Sequence, residues 1–215
     1  MARTDHKTHA SEDAGSFSEE RLDALKEVAN IGAGHAATAL STLAGGRIMI
    51  SVPTIKFVLP TDEARRACVP SDTVVVVRMD ISGSIHGRTA FILPSDGAWR
   101  LAERMLGRAT GTVVDIGDLE ESAMSEAGNI IGGAYLTALS EFLHMRLLPS
   151  PPILYQGDTG KALSGVFPTG APLDTVLCVE TEFKMTEPDE ILRGFFVLIP
   201  DANSFEAIFS AVRVS

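Results

Sequence analysis

One helical pattern is written twice along this chain, in register, and that duplication constrains the fold more than any other feature. Asp23, Glu27 and Asn30 are followed by Pro53; shifted by 99 positions, the pattern returns as Ser122, Glu126 and Asn129, followed by Pro152. No gap is needed over that stretch, and Thr38-Ala39-Leu40-Ser41 recurs verbatim as Thr137-Ala138-Leu139-Ser140. A chain that repeats a helix, its polar trio and a proline at fixed spacing is built from two copies of one supersecondary unit. The repeated polar residues point to two copies of one functional site.

The elements follow from local signals. Ser18 can cap a first helix, which runs to about Leu43 and is stopped by Gly45-Gly46. Three β-branched runs follow, Arg47–Leu59, Thr73–Ile81 and Ser84–Leu93. Pro53 inside the first run places it at a sheet edge or a bulge. Pro60–Ala67 reads as a short helix and Asp96–Leu106 as another. The second half repeats the order, with a helix over Leu119–Leu143, strands near Met145–Leu154, Asp174–Lys184 and Ile191–Ile199, and a closing helix over Asn203–Val212. Trp99 and Phe205 each stand five residues beyond a proline, Pro94 and Pro200. The second half is longer after Pro152, where Gln156–Pro172 makes a loop with room for one short helix. Tight turns such as Ser82-Gly83 favour antiparallel pairing.

The expected fold class is therefore α+β: a pseudo-twofold duplicated domain with two long helices packed on a joint, mostly antiparallel sheet. Residues 1–17, polar and aperiodic, are expected to form a flexible tail. Residues 18–213 form one domain of two repeats, 18–108 and 118–213, joined near Ala109–Gly117.

Composition narrows the function classes. A formal charge of −10 leaves no basic stripe to neutralise phosphates, which argues against nucleic acid and against an anionic membrane surface. No apolar run approaches the roughly 20 residues that span a bilayer, and the polar N-terminus does not resemble a signal peptide. Cys68 and Cys178 are lone and far apart, as expected of reduced thiols in a cytoplasmic protein.

At about 100° per residue, positions 23, 27, 30 and 34 share one side of the first helix. Leu22, Leu25, Ala29, Ala36, Leu40 and Leu43 lie roughly opposite, as the core face. Ser122, Glu126, Asn129 and Gly133 hold the same relation in the second helix. An ordinary solvated face is the plain alternative for either helix alone. Asn is a mediocre helix former, however, and a neutral surface would not need it twice. Gly34 and Gly133 lie on the Glu/Asn side, where a missing side chain lets another protein approach the helix backbone. Gly32 and Ala36 face the other way and permit tight packing.

Three lookalikes carry little. Gly32-Ala33-Gly34-His35-Ala36-Ala37 matches a dinucleotide-binding glycine pattern by letters, but lies inside a helix instead of after a strand. Asp158-Thr159-Gly160 resembles an aspartic protease triplet without a second copy. His35, His86 and His144 share no ligand spacing, so no metal is expected.

A helix bearing Asp or Ser, then Glu four residues on, Asn three further, and Pro 23 residues beyond the Asn resembles the signature of the CheC/CheX/FliY phosphatases of bacterial and archaeal chemotaxis. Both copies match it, and the duplication covers nearly everything from residue 18 to 213. Within the family the chain is most similar to the stand-alone, two-site CheC type, since residue 215 directly follows the expected closing helix and leaves no room for a C-terminal flagellar domain. The resemblance implies a hydrolase that removes phosphate from the phospho-aspartate of a CheY-type response regulator, with two equivalent sites. Asn30 and Asn129 would orient the attacking water, while Glu27 and Glu126 would contact a lysine of the regulator. Asp23 and Ser122 would support or dock, and Pro53 and Pro152 would shape the adjacent loop and strand. No cofactor of its own is implied; Mg²⁺ would belong to the regulator. The FliM switch protein, similar in architecture but without the Glu/Asn pairs, keeps a non-catalytic adaptor or switch component open as the alternative.

A second partner is also implied. CheC-like proteins bind the glutamine deamidase CheD through a short helix in the second half. The asymmetric insertion from Asp158 to Val166 is the candidate, with Asp158 as polar anchor and Ala162, Leu163 and Val166 as a small apolar docking face. An ordinary surface helix closing a longer loop is the alternative.

Overall fold

A computed structural model describes residues 19–58, 69, 71–167, 176–186, 189–201, 203–204, 207–208 and 210–211. The expected tail over 1–17, the short helix Pro60–Ala67 and the aromatic Phe205 lie outside the described residues. The elements run α1 (Glu19–Leu43), β1 (Ile48–Val58), β2 (Thr73–Gly83), β3 (Gly87–Pro94), α2 (Ser95–Met105), α3 (Asp118–Leu143), β4 (Leu147–Pro149), β5 (Ile153–Asp158), α4 (Thr159–Val166), β6 (Val176–Thr186) and β7 (Asp189–Pro200). Residues 203, 204, 207, 208, 210 and 211 are helical as well.

Among the described residues, seven strands form one sheet in the order β1-β6-β7-β3-β2-β4, with β5 also paired to β2, and every pairing is antiparallel. The order shows how the repeats interlock. The first strand of the first repeat, β1, pairs with β6 of the second. Reciprocally, β4 and β5 of the second repeat pair with β2 of the first. Each repeat lends its first strand to the other, and β3 meets β7 at the centre.

Both faces of the sheet are covered. Val75, Phe91 and Leu93 share a core with Leu25, Ala29, Ala33 and Leu40 of α1 and with Met124, Ile131 and Leu136 of α3. Their neighbours Val74, Val76, Ala90 and Ile92 belong to a second core on the other face, closed by Ala162, Leu163 and Val166 of α4. Coverage of both faces explains why β2 opens on an unbroken Val74–Val77 run instead of alternating.

The repeat extends to backbone conformation. Gly45 ends α1 at φ +59°, and its counterpart 99 positions on, His144, ends α3 in the same left-handed region at φ +53°. The serine of the duplicated tetrapeptide ties each helix end to the next segment. Ser41 Oγ accepts from the Ile48 N–H and donates to the Ile48 carbonyl, and Ser140 Oγ donates to the Met145 carbonyl. At the start of α3, Glu120 accepts from the Gly117 N–H at 3.1 Å and pairs with Arg108. Backbone N–H groups at the helix start, with the Arg108 guanidinium, hold its carboxyl below the usual glutamate range.

Four expectations need correction. The strand expected over Met145–Leu154 is two strands, broken at Ser150-Pro151-Pro152, because neither proline can donate to a ladder. The loop expected from Gln156 begins as strand, which runs to Asp158; the short helix expected within it is α4. Gly83, expected in a turn, is the last residue of β2; at φ +117° its backbone lies so close to the Arg146 carbonyl that a Cβ would sit 2.3 Å from it. Leu43, assigned to the core face, is 47% exposed at the last turn of α1.

Candidate functional site

The two polar faces emerge where the helical period puts them. Asp23, Glu27 and Gly34 are exposed on α1, with Asn30 half-buried among them; Ser122, Glu126 and Asn129 are exposed on α3, with Gly133 half-buried. A Cβ added at Gly34 or Gly133 would meet nothing within 4 Å, so the helix backbone stands open there. At Gly32, on the packed side, a Cβ would lie 3.0 Å from the Tyr135 ring. That close approach lets Tyr135 reach Thr181 of β6, its hydroxyl 3.2 Å from Thr181 Oγ1. Burial pushes the Tyr135 phenol up to about 12, so it stays neutral.

Thr181 lies beneath the feature that joins Asn30 to Pro53. β1 pairs with β6 up to Ser51, opposite Glu182, and resumes at Thr54, opposite Glu180. Val52 and Pro53 therefore oppose one residue, a β-bulge on an edge strand, which fits the sequence expectation for Pro53. Released from the ladder, the N–H of Val52 donates instead to Asn30 Oδ1 at 3.2 Å. Asn30 Nδ2 donates in turn to the Lys26 carbonyl at 3.0 Å. In the first repeat the spacing from Asn30 to Pro53 thus brings one hydrogen bond from strand to helix. Val52 was not singled out from the sequence; a proline following it inside a strand is the signal that would have found it.

The second repeat lacks this bond. The break at Ser150-Pro151-Pro152 occupies the place of the bulge, and Pro151, the counterpart of Val52, has no N–H to give. Ser150 takes over the local bonding, its N–H donating to the Asp80 carbonyl and its Oγ accepting from the Asp80 N–H. Among the described residues the Asn129 side chain has no hydrogen-bond partner. Beside Glu126 and Ser122 runs an open groove of roughly 250 Å³, lined also by Leu43, Met105, Leu106, Leu119 and Ala123.

The insertion is placed differently from its expected use. Asp158 is exposed and caps α4, its Oδ1 accepting from the Lys161 N–H at 3.0 Å. Ala162, Leu163 and Val166 are 7%, 2% and 0% exposed. They close the second core and cannot form a docking face. The glycine lookalike falls wholly within α1, and Asp158-Thr159-Gly160 is a helix start. Cys178 is buried in the second core, whereas Cys68 lies outside the described residues. Among the described residues no cluster of His, Cys, Asp and Glu could hold a metal ion, and no helix is long and apolar enough to cross a membrane.

With this geometry in view, likeness to known proteins is specific. The sequence pattern of the CheC-like family matches residues 20–57 and 119–155, each a long helix followed by its motif proline. The CheY-P phosphatase CheC of Bacillus subtilis (strain 168) is 31% identical over 201 residues, covering 92% of this chain and 96% of the relative. The flagellar motor switch phosphatase FliY of the same organism is 28% identical over 137 residues, covering 63% of this chain and 35% of the relative. Among solved structures, FliY of Thermotoga maritima superposes with a TM-score of 0.75 at 24% identity, covering 93% of this chain and 99% of that one. The FliM middle domain from H. pylori gives 0.64 at 15% identity, with 91% and 99% covered. Both share the fold described above.

Proposed function

This chain belongs to the CheC-like family, and from that premise we propose that it hydrolyses the phospho-aspartate of a phosphorylated CheY-type response regulator, in the cytoplasm. The observation that carries this reading is the doubled Glu/Asn pair on exposed helix faces, each followed by its proline, in a chain alike over nearly its whole length to a CheY-P phosphatase. Asn30 and Asn129 orient a water for in-line attack on phosphorus. An amide suits this task, since it accepts from water and donates toward the phosphoryl oxygens. A carboxylate in its place would repel the phosphoryl dianion. Phosphoryl transfer asks little covalent chemistry of the protein and much positioning of the nucleophile.

Glu27 and Glu126 pair with a lysine of the regulator and align the two proteins, with Asp23 and Ser122 in support. Gly34 and Gly133 let the partner approach the helix backbone. Pro53 and Pro152 shape the segments beside each Asn. Mg²⁺ enters with the regulator, and this chain needs no cofactor of its own. With the apolar residues of α4 buried, a contact with a CheD-type deamidase rests on Asp158 alone.

The test is phosphate release from phosphorylated regulator with catalytic amounts of this protein, run beside a binding titration at two ionic strengths. Release well above the regulator's own rate, with binding that weakens as salt screens the Glu–Lys pair, is expected. Tight binding without release would replace the phosphatase with a non-catalytic adaptor.

A further inference from the structure

Among the differences between the two sites, one backbone donor stands out. Val52 is 2% exposed, and a buried N–H that has left its ladder needs an acceptor. Asn30 supplies it through one lone pair of Oδ1, and one of its two Nδ2 N–H groups donates to the Lys26 carbonyl, so both polar ends of the amide are held against main chain. To orient a water at a phosphoryl group carried by another protein, this amide must turn outward. That movement breaks both bonds and leaves the Val52 N–H unpaired. In the second repeat Pro151 stands where Val52 does, and exposed Asn129 has no such partner among the described residues.

We propose that the Val52 N–H is a latch that holds Asn30 out of play in the free protein, and that Pro151 deletes the latch from the other repeat. The inference rests on the reading of Asn30 and Asn129 as water-orienting residues. It makes the sites unequal: the Asn129 site is open at all times, whereas the Asn30 site works only in the fraction of molecules whose latch is released. Val52 is then a positioning residue acting through Asn30. A turnover rate scales with the competent fraction, and two modest hydrogen bonds plus an orphaned buried donor make that fraction about a tenth or less. Docking through Glu27 does not involve the latch, so the effect falls on kcat and leaves KM alone.

Two measurements test this. In the wild-type protein, ¹⁵N relaxation of side-chain amides should find the Asn30 NH₂ ordered and that of Asn129 motionally averaged; equal order overturns the latch whatever the activity. In kinetics with phosphorylated regulator, Asn129→Ala, which retains site one, should show a kcat about tenfold below that of Asn30→Ala, which retains site two, at a shared KM. Adding Pro151→Ala to Asn30→Ala restores an N–H at an exposed position; it should order the Asn129 amide and lower kcat severalfold. Equal kcat in the two single-site proteins, or no response of Asn129 to Pro151→Ala, overturns the proposal. Absence of hydrolysis in every protein would sink the functional reading, and the amide order in the wild type would still decide the latch.

Discussion

Asn30 and Asn129 occupy the same place in the repeat and have different duties to the fold. Asn30 satisfies a buried backbone donor, so Asn30→Ala should lower unfolding free energy by about 1–3 kcal/mol. Asn129→Ala, at an exposed side chain without a partner, should stay within about 0.5 kcal/mol. Urea unfolding with unchanged m-values checks both, and equal losses would contradict the bond from Val52. The glycines divide in the same way. A Cβ at Gly128 would lie 2.4 Å from Val77 Cγ1, the stiff branch of a β-branched side chain, so Gly128→Ala should destabilise by about 1–3 kcal/mol. Gly34→Ala meets open space and should gain up to about 1 kcal/mol from helix propensity. Thermal unfolding of the two variants should therefore shift in opposite directions. The sequence carried the polar trio legibly because a helix converts spacing directly into facing. Pro53 announced an edge or a bulge, but not that the freed Val52 N–H would find Asn30, since a hydrogen bond across 22 positions depends on how strand and helix pack.

Helix starts set the acid stability of the elements. Glu120 at the start of α3 is held low by backbone N–H groups and Arg108, and Asp201 is held low by Ser204, whose N–H donates to Asp201 Oδ1 at 2.8 Å. A carboxyl whose pKa is lowered by folding contributes stability above its ordinary value, here 4.5 for Glu120 and 3.8 for Asp201. That contribution is lost as pH falls through the lower folded value. Glu120→Gln and Asp201→Asn should therefore reduce stability at pH 7 and flatten its decline in acid, as followed by unfolding titrations between pH 7 and 3. An unchanged acid limb would contradict the assignment. Helices were legible at this scale even when short, as Ser95–Met105 and Thr159–Val166 show, but the buried face of a short one was not. α1 and α3 announce themselves through many turns of periodicity, whereas α4 has eight residues and no pattern that tells a docking face from a core face. The unbroken Val74–Val77 run was the available hint that something covers the second side of the sheet.

At the scale of the whole molecule, the duplication is a strand exchange. Because β1 lies beside β6, and β4 and β5 lie beside β2, each repeat completes the edge of the other. The two polar faces are thereby carried on one continuous sheet. Duplication predicted two like sites; the backbone at residues 52 and 151 makes them unlike, and only a structure could show what a single proline does there. The central claim is that these two faces hydrolyse an aspartyl phosphate on another protein. Its most direct test is the decay of phosphorylated regulator in the presence of wild-type protein, Asn30→Ala, Asn129→Ala and the double variant, each confirmed folded. Each single variant should retain part of the activity, more in Asn30→Ala than in Asn129→Ala, and the double variant should leave only the regulator's own decay. Full activity in the double variant would contradict the account.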